Sequence, residues 1–122
     1  MTVDNVLKKN AETVQAFTDA QNNVDRSAIE ACVTEDAAFL PGSKDVKFDG
    51  REAFVDGLLA WLTKYETLHF TILNEFYTED EAFDEWRFVG RTKDGQDQEI
   101  HGVDYFRMRD GKIVVKSSFR KA

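Results

Sequence analysis

The last quarter of the chain contains the feature that most limits the possible folds, a pair of strand-like segments joined by a turn of two residues. The segments 99–108 and 113–119 are rich in β-branched and aromatic residues. Between them, Asp110-Gly111 is a pair typical of tight hairpin turns. So short a connection joins only antiparallel neighbours. The hairpin therefore predicts an antiparallel sheet, and it places one acidic residue, Asp104, among apolar side chains.

The turn also decides which side chains share a face of the hairpin, because alternate residues of a strand point to opposite sides. A two-residue turn pairs Arg109 with Lys112 and Asp104 with Ser117. The face that then holds the acidic residue consists of Ile100, Gly102, Asp104, Phe106, Met108, Ile113, Val115, Ser117 and Phe119. A three-residue turn would instead bring Lys116 to that face. The two-residue turn is preferred because it separates apolar from polar residues on both strands.

Helices precede the strands in the chain. Apolar residues three or four apart predict a first helix from Val3 to about Asn22 and a third helix that begins near Gly50. A short second helix is expected after Asp25, which is suited to cap it. Further strands are predicted at residues 46–48, 68–73 and 83–89. Helices followed by strands with short connections indicate an α+β fold, with the helices on one face of a curved antiparallel sheet.

Length and composition exclude several classes of function. One domain covering residues 1–122 is expected, because 122 residues are enough for one sizeable core and too few for two. The formal net charge of -7 disfavours binding to nucleic acid, which requires clustered Lys and Arg. The first ten residues contain neither an apolar signal core nor a membrane-length run. A cytoplasmic protein without a membrane partner is therefore expected.

The single cysteine and the two histidines do not form a recognisable metal site. Cys32 cannot form an intramolecular disulfide, and it shares a helical face with Ile29 and Val33. That position predicts a small buried core residue rather than a nucleophile. His69 and His101 show no spacing to Cys32 or to acidic residues that is typical of metal ligands. We therefore expect neither a metal nor a cofactor.

Three motifs in a fixed order resemble one protein family. Residues 102–113, GVDYFRMRDGKI, resemble the C-terminal hairpin of the SnoaL-like and ketosteroid-isomerase-like proteins of the nuclear-transport-factor-2-like superfamily. Residues 22–25 followed by 33–37 resemble the family's helix-turn-helix and the start of its first strand, and residues 48–54 resemble the start of its third helix. The resemblance spans nearly the whole chain. It implies a cystatin-like cone, in which three N-terminal helices pack on a strongly curved antiparallel sheet around a pocket.

The resemblance also implies a role for Asp104, which aligns with the pocket carboxylic acid that donates a hydrogen bond to the substrate oxyanion in the isomerases. Their general base falls near Leu40, and the tyrosine of their oxyanion pair falls near Phe17. The carboxylate that SnoaL-like cyclases use near the chain end falls near Lys121. Epoxide hydrolysis in this superfamily needs an Asp-Arg-Asp set, and Arg87 is predicted on the outer face. Steroid isomerisation, that particular cyclisation and epoxide hydrolysis are therefore disfavoured for this chain.

The candidate site is centred on Asp104, which we predict as the catalytic residue, because a carboxyl group in an apolar pocket is suited to exchange protons near neutral pH. The residues predicted to line the pocket are Phe17, Leu58, Trp61, Trp86, Phe88, Phe106, Ser117 and Phe119. The alternative is a structural carboxylate bonded to Ser117, Tyr65 or a backbone amide. The expected function is that of an isomerase, cyclase or hydro-lyase acting on a hydrophobic carbonyl compound. A non-catalytic ligand-binding or dimerisation module of the same fold is the second hypothesis.

The opposite face of the hairpin is expected to meet solvent or a second copy of the chain. That face is predicted to hold Glu99, His101, Val103, Tyr105, Arg107, Lys112, Val114, Lys116, Ser118 and Arg120. Val103, Tyr105 and Val114 are apolar among charges, and the family includes dimerising members. A homodimer through the outer face of the sheet is therefore predicted. His101 is expected to be exposed or at that interface, and it would serve as a proton shuttle only if the faces were reversed.

Overall fold

The computed structural model describes residues 2–121, in which three helices precede most of a six-stranded sheet. The helices are α1 (Val3–Asn22), α2 (Arg26–Ala31) and α3 (Arg51–Leu62). The strands are β1 (Val33–Leu40), β2 (Phe48–Asp49), β3 (Tyr65–Tyr77), β4 (Glu81–Thr92), β5 (Asp97–Arg109) and β6 (Lys112–Arg120). The sheet order is β2-β1-β6-β5-β4-β3. The predicted α+β class with helices on a curved, mostly antiparallel sheet is confirmed.

One pair of neighbouring strands departs from the antiparallel prediction. β1 and β6 run parallel, whereas the other four neighbouring pairs are antiparallel. The physical reason is the length of the chain that connects β1 to β6. Short turns force antiparallel pairing, but β1 and β6 are joined through most of the chain, which leaves their relative direction free.

Local capping explains where the first two helices begin. The Thr2 hydroxyl accepts a hydrogen bond from the backbone amide of Asn5, and the Asp25 carboxylate caps α2 in the same way. α1 has the bounds that the apolar periodicity predicts. α2 is shorter than its apolar face suggests, because Val33 opens β1 instead of continuing the helix. Cys32, between them, is buried as predicted.

No helix among residues 2–121 is long and apolar enough to cross a membrane.

The core lies between the helices and one face of the sheet, and aromatic rings from both layers meet in it. The ring of Phe17 in α1 packs edge to face against Phe54 of α3 and against Phe106 of β5, with centroid distances of 6.2 and 6.1 Å. Phe88 of β4 is also fully buried. These packed rings hold the helices against β4 and β5, the strands that carry the candidate site.

A β-bulge in the last hairpin changes the register that the sequence predicts. The turn has two residues, as predicted, and Arg109 faces Lys112 across it. Farther along, however, Arg107 faces Val115 rather than Val114, because the register shifts by one residue on β6. An extra residue in one strand exchanges the inner and outer faces for everything beyond it.

The bulge decides which side chains of β6 point into the protein. Asp104 faces Ser118, so the predicted pairing of Asp104 with Ser117 is wrong. Lys116 and Ser118 are buried, whereas Phe119 is 59% exposed on the opposite face. The preferred turn was therefore right, but the side chains beside Asp104 are those that the alternative register predicted.

Candidate functional site

Adjacent strands bring four buried polar side chains together on the inner face of the sheet. Asp84 of β4 faces Asp104 of β5, which in turn faces Ser118 of β6. Lys116 lies two residues before Ser118 and therefore points to the same side of β6. The four residues have between 2% and 7% of their surface exposed. Buried ionisable groups are uncommon unless they are paired or functional, so this cluster is the candidate site.

The ammonium group of Lys116 is the centre of the cluster. Its Nζ lies 3.4 Å from Oδ2 of Asp104 and donates a hydrogen bond of 2.7 Å to Oγ of Ser118. The same Nζ is 4.7 Å from the centroid of the Phe39 ring, a cation–π distance. Within residues 2–121, the Oδ1 atoms of Asp84 and Asp104 have no hydrogen-bond partner. The cluster therefore keeps an unused acceptor on each carboxyl group.

The two carboxyl groups cannot both be ionised at low cost. Burial, and then the adjacent charge of Asp104, raise the pKa of Asp84 to about 8, against the opposing effect of the Lys116 ammonium group. Asp84 is therefore protonated at neutral pH. With Asp84 neutral, the three ionisable groups together carry no net charge, which reduces the cost of burying them.

A cavity of about 80 Å³ lies beside the ion pair. The residues around it are Gln21, Phe39, Pro41, Gly57, Leu58, Trp61, Phe70, Trp86, Asp104, Lys116, Ser118 and Arg120. Four aromatic rings are among its apolar residues, and its charged residues are Asp104, Lys116 and Arg120. Since drug-sized ligands occupy roughly 300–1,000 Å³, this space holds only a small molecule or one end of a larger one. A larger depression of about 530 Å³ at the β3–β5 surface lacks buried polar groups.

Gly102 has no side chain, and this allows the Trp86 ring to form one wall of the cavity. A Cβ atom at Gly102 would lie 2.5 Å from Cζ2 of the Trp86 indole, so the ring packs directly on the backbone of β5. Nε1 of Trp86 is buried and has no hydrogen-bond partner in the part of the chain that the structure describes. A buried donor without a partner is costly unless water or a ligand satisfies it.

The structure divides the predicted pocket residues into three groups. Leu58, Trp61 and Trp86 line the cavity beside Asp104. Phe17, Phe88 and Phe106 do not line it, because their rings fill the core between the helices and the sheet. Ser117 and Phe119 lie on the other side of β6, because the bulge reverses the faces there. Tyr65 does not bond to the carboxylate, since its hydroxyl donates to Gln98.

Sequence reasoning missed Asp84, Lys116, Ser118 and Arg120 as site residues. Asp84 was detectable, because it is two residues before Trp86 and four before Phe88, which were both predicted to point inward. Lys116 was placed beside Asp104 only by the alternative register, the one with a three-residue turn. The alternation of apolar and polar residues in β6 favours the other register, because it does not reveal the bulge.

Other chemistry that the family resemblance implies is not assembled in this chain. Arg87 is exposed on the outer face and forms an ion pair of 2.9 Å with Glu99, so it cannot join an Asp-Arg-Asp set. The buried cation beside Asp104 is a lysine, Lys116. Residues 2–121 contain no group of three or more His, Cys, Asp or Glu side chains that could hold a metal ion.

Solved structures of three proteins show the same fold. A candidate SnoaL-like polyketide cyclase from Jannaschia sp. CCS1 has a TM-score of 0.86 at 17% identity, over 95% of this chain and 88% of that one. A nuclear-transport-factor-2-like protein of unknown function from Mesorhizobium loti has a TM-score of 0.79 at 24% identity, over 95% and 93%. An epoxide hydrolase from Mycobacterium tuberculosis has a TM-score of 0.81 at 14% identity, over 94% and 84%.

The sequence comparisons identify the family. No curated protein matches the chain. The sequence model of the SnoaL-like domain matches residues 14–116, which include all of the cluster except Ser118. The chain therefore belongs to the SnoaL-like family.

Proposed function

We propose that this protein is an enzyme that moves a proton next to the carbonyl group of a small, largely hydrophobic carbonyl compound. The reaction would be an isomerisation, a cyclisation, or the elimination or addition of water. The observation that carries the proposal is the buried Lys116–Asp104 pair at the wall of an aromatic cavity. A carboxylate and an ammonium group 3.4 Å apart supply a base and a cation to one bound ligand.

Asp104 is the group that exchanges the proton in this proposal. Its carboxylate takes a proton from the carbon beside the carbonyl group, and the electron pair of the broken C–H bond forms a carbon–carbon double bond. The carbonyl oxygen becomes an enolate oxygen, which the ammonium group of Lys116 stabilises. Asp104 then returns the proton to another carbon, or to a departing hydroxyl group. A positioned acid–base group of this kind contributes typically 10²–10⁴-fold to a rate.

The rest of the cluster supports these two groups. The raised pKa of Asp84 favours its neutral form, and Asp104 is the only carboxylate among the described residues of the cavity wall. Ser118 holds the ammonium group of Lys116 through a hydrogen bond of 2.7 Å. The rings of Trp61, Phe70 and Trp86 offer an apolar surface to a hydrophobic ligand. In this proposal the proton transfer uses these side chains alone.

The proteins that share this fold are compatible with the proposal, but they do not indicate which of these reactions takes place. A candidate polyketide cyclase and an epoxide hydrolase share the fold, so small-molecule chemistry is found on it. Fold alone does not define function, and the identities are below 25%. The proposal therefore depends on the side chains of this cavity.

The test is a panel of small enones and epoxides with the wild type and Asp104→Asn. We expect kcat/KM for a reactive enone to fall at least about 100-fold in the variant. Asp80→Asn, at an exposed turn, is the matched control and should behave like the wild type. Activity that is unchanged by Asp104→Asn would remove Asp104 from the mechanism. Saturable binding without turnover by the wild type would favour the alternative, a non-catalytic ligand-binding module.

We also propose that two copies associate through the outer face of the sheet. Phe76, Phe83 and Phe119 are 69%, 44% and 59% exposed there, and the rings of Phe83 and Tyr105 lie 5.1 Å apart. Charged side chains of both signs flank this patch, and Arg87 and Glu99 form an ion pair among them. A face that carries both charges around an apolar centre can complement its own copy about a two-fold axis.

The second histidine of the chain, His101, also lies on the outer face of the sheet. His101 is half-buried there, and its Nε2 lies 2.8 Å from Oε2 of Glu99. The position agrees with the exposed or interface location that the sequence predicts, and His101 is not among the residues of the cavity wall. In the proposed dimer it belongs to the polar rim of the interface.

A further inference from the structure

Arg120 places a positive charge at the opening of the cavity. It lies at the end of β6 on the same side as Lys116 and Ser118, because alternate residues of a strand share a face. It lines the cavity and is also exposed to solvent. The carbon of its guanidinium group is 5.5 Å from the centroid of the Trp61 ring, which holds it by a cation–π contact. Arg120 is therefore positioned where a ligand enters.

Arg120 has no carboxylate partner among residues 2–121, a property it shares with Arg51 and Arg107 and not with the other four arginines. Arg26, Arg87, Arg91 and Arg109 each form an ion pair with an Asp or Glu. Among residues 2–121, no carboxylate oxygen lies within 4.0 Å of the Arg120 guanidinium group. A guanidinium group presents a planar pair of donors that matches a carboxylate. Within residues 2–121, the Arg120 guanidinium group therefore has donors without a carboxylate partner, although the protein as a whole is acidic.

The charges around the cavity add up to one positive charge at neutral pH. The ammonium group of Lys116 and the carboxylate of Asp104 cancel, and Asp84 holds its proton. Arg120 then supplies a single uncompensated cation, although the chain as a whole carries a formal charge of -7. A concave site of opposite sign to its surroundings concentrates ligands of complementary charge. The cavity therefore favours a ligand with one negative charge.

We propose that the substrate of this site is a small oxo acid, whose carboxylate binds Arg120 at the opening while its carbonyl oxygen meets Lys116 inside. The inference deepens the proposed function, on which it rests, by naming the substrate class. The two anchoring residues are four positions apart on β6, so their Cα atoms are separated by roughly 13 Å, and both side chains are long. A short carbon chain between carbonyl and carboxylate fits this spacing and a cavity of about 80 Å³.

The test compares 4-oxopentanoate with its methyl ester, which has the same carbon skeleton and no charge. Affinities are measured by NMR titration of the isotope-labelled protein. A charge-assisted pair with an arginine is worth about 10- to 100-fold in affinity, so the wild type should bind the acid at least about 10-fold more tightly than the ester. Arg120→Gln should remove this preference and leave the affinity for the ester unchanged. Arg107→Gln, on the exposed outer face of β5, is the matched control and should retain the preference.

The outcomes separate this inference from the proposed reaction. Equal affinities of the wild type for acid and ester, no binding of either compound, or a preference that survives in Arg120→Gln would overturn the oxo-acid assignment. Asp104-dependent turnover of uncharged enones together with equal binding would overturn it while leaving the proposed function intact. An Arg120-dependent preference for the acid, without turnover of any carbonyl compound, would support the binding site and contradict the reaction.

Discussion

Replacing Asp84 with asparagine should make the protein more stable at neutral and alkaline pH. Asp84 is 2% exposed, and burial next to Asp104 raises its pKa to about 8. Asparagine has the shape of the protonated carboxyl group and cannot ionise. The substitution therefore keeps the form that the folded protein prefers and removes the charge that it does not accommodate well.

The magnitude follows from the difference in proton affinity between the folded and unfolded chains. The folded chain holds the Asp84 proton up to about pH 8, whereas an ordinary aspartate loses it near 3.8. The stabilisation by this bound proton is fully present below about pH 4, and it is lost progressively as the pH rises to about 8. One proton changes the free energy of unfolding by about 1.4 kcal/mol per pH unit. As the pH rises from 5 to 7, the free energy of unfolding of the wild type therefore falls by up to about 3 kcal/mol because of Asp84.

The assay is urea unfolding of the wild type and Asp84→Asn at several pH values from about 5 to 8. The stability advantage of the variant over the wild type should increase by about 3 kcal/mol between pH 5 and pH 7. Asp19→Asn, on the exposed side of α1, controls for a general effect of removing one negative charge. Parallel pH profiles of wild type and Asp84→Asn would refute the assignment of a raised pKa to Asp84.

Three further predictions concern the cavity wall, the ion pair and the outer face. Gly102→Ala should lower the free energy of unfolding by about 1–3 kcal/mol, because the added methyl group would lie 2.5 Å from Trp86; an unchanged urea midpoint would contradict this packing. Lys116→Met should cost about 3–5 kcal/mol by leaving Asp104 buried without its partner, and adding Asp104→Asn should recover most of the loss; additive losses would argue against a coupled pair. Phe119→Asp should convert the proposed dimer to a monomer in sedimentation velocity, and a wild type that is itself monomeric at micromolar concentration would refute the interface.

The elements that local sequence determines were predictable. The bounds of α1 follow from its apolar periodicity, and the start of α2 follows from the cap at Asp25. The turn at Asp110-Gly111 has the predicted length. Each of these features depends on residues a few positions apart, so a pattern in the chain is enough to identify it.

The register beyond that turn was not predictable, because its cause lies elsewhere in the chain. β6 is paired on one side with β5 and on the other with β1, a strand more than 70 residues earlier. The shift on the β5 side occurs where β1 also changes register against β6, between Val33 and Ala38. A strand that must satisfy two neighbours adopts a bulge that neither its own alternation nor its turn reveals.

The sequence by itself determined the helices, the turns and the presence of Asp104 on an apolar strand face, since these depend on short-range spacing and on the chemistry of single residues. Only the tertiary structure decided what surrounds that carboxylate. The two strands that flank β5 bring Asp84 and Lys116 to it, and the loss of water around them raises the pKa of Asp84. Cross-strand register and desolvation are properties of the packed sheet, and for that reason they cannot be read from any one segment.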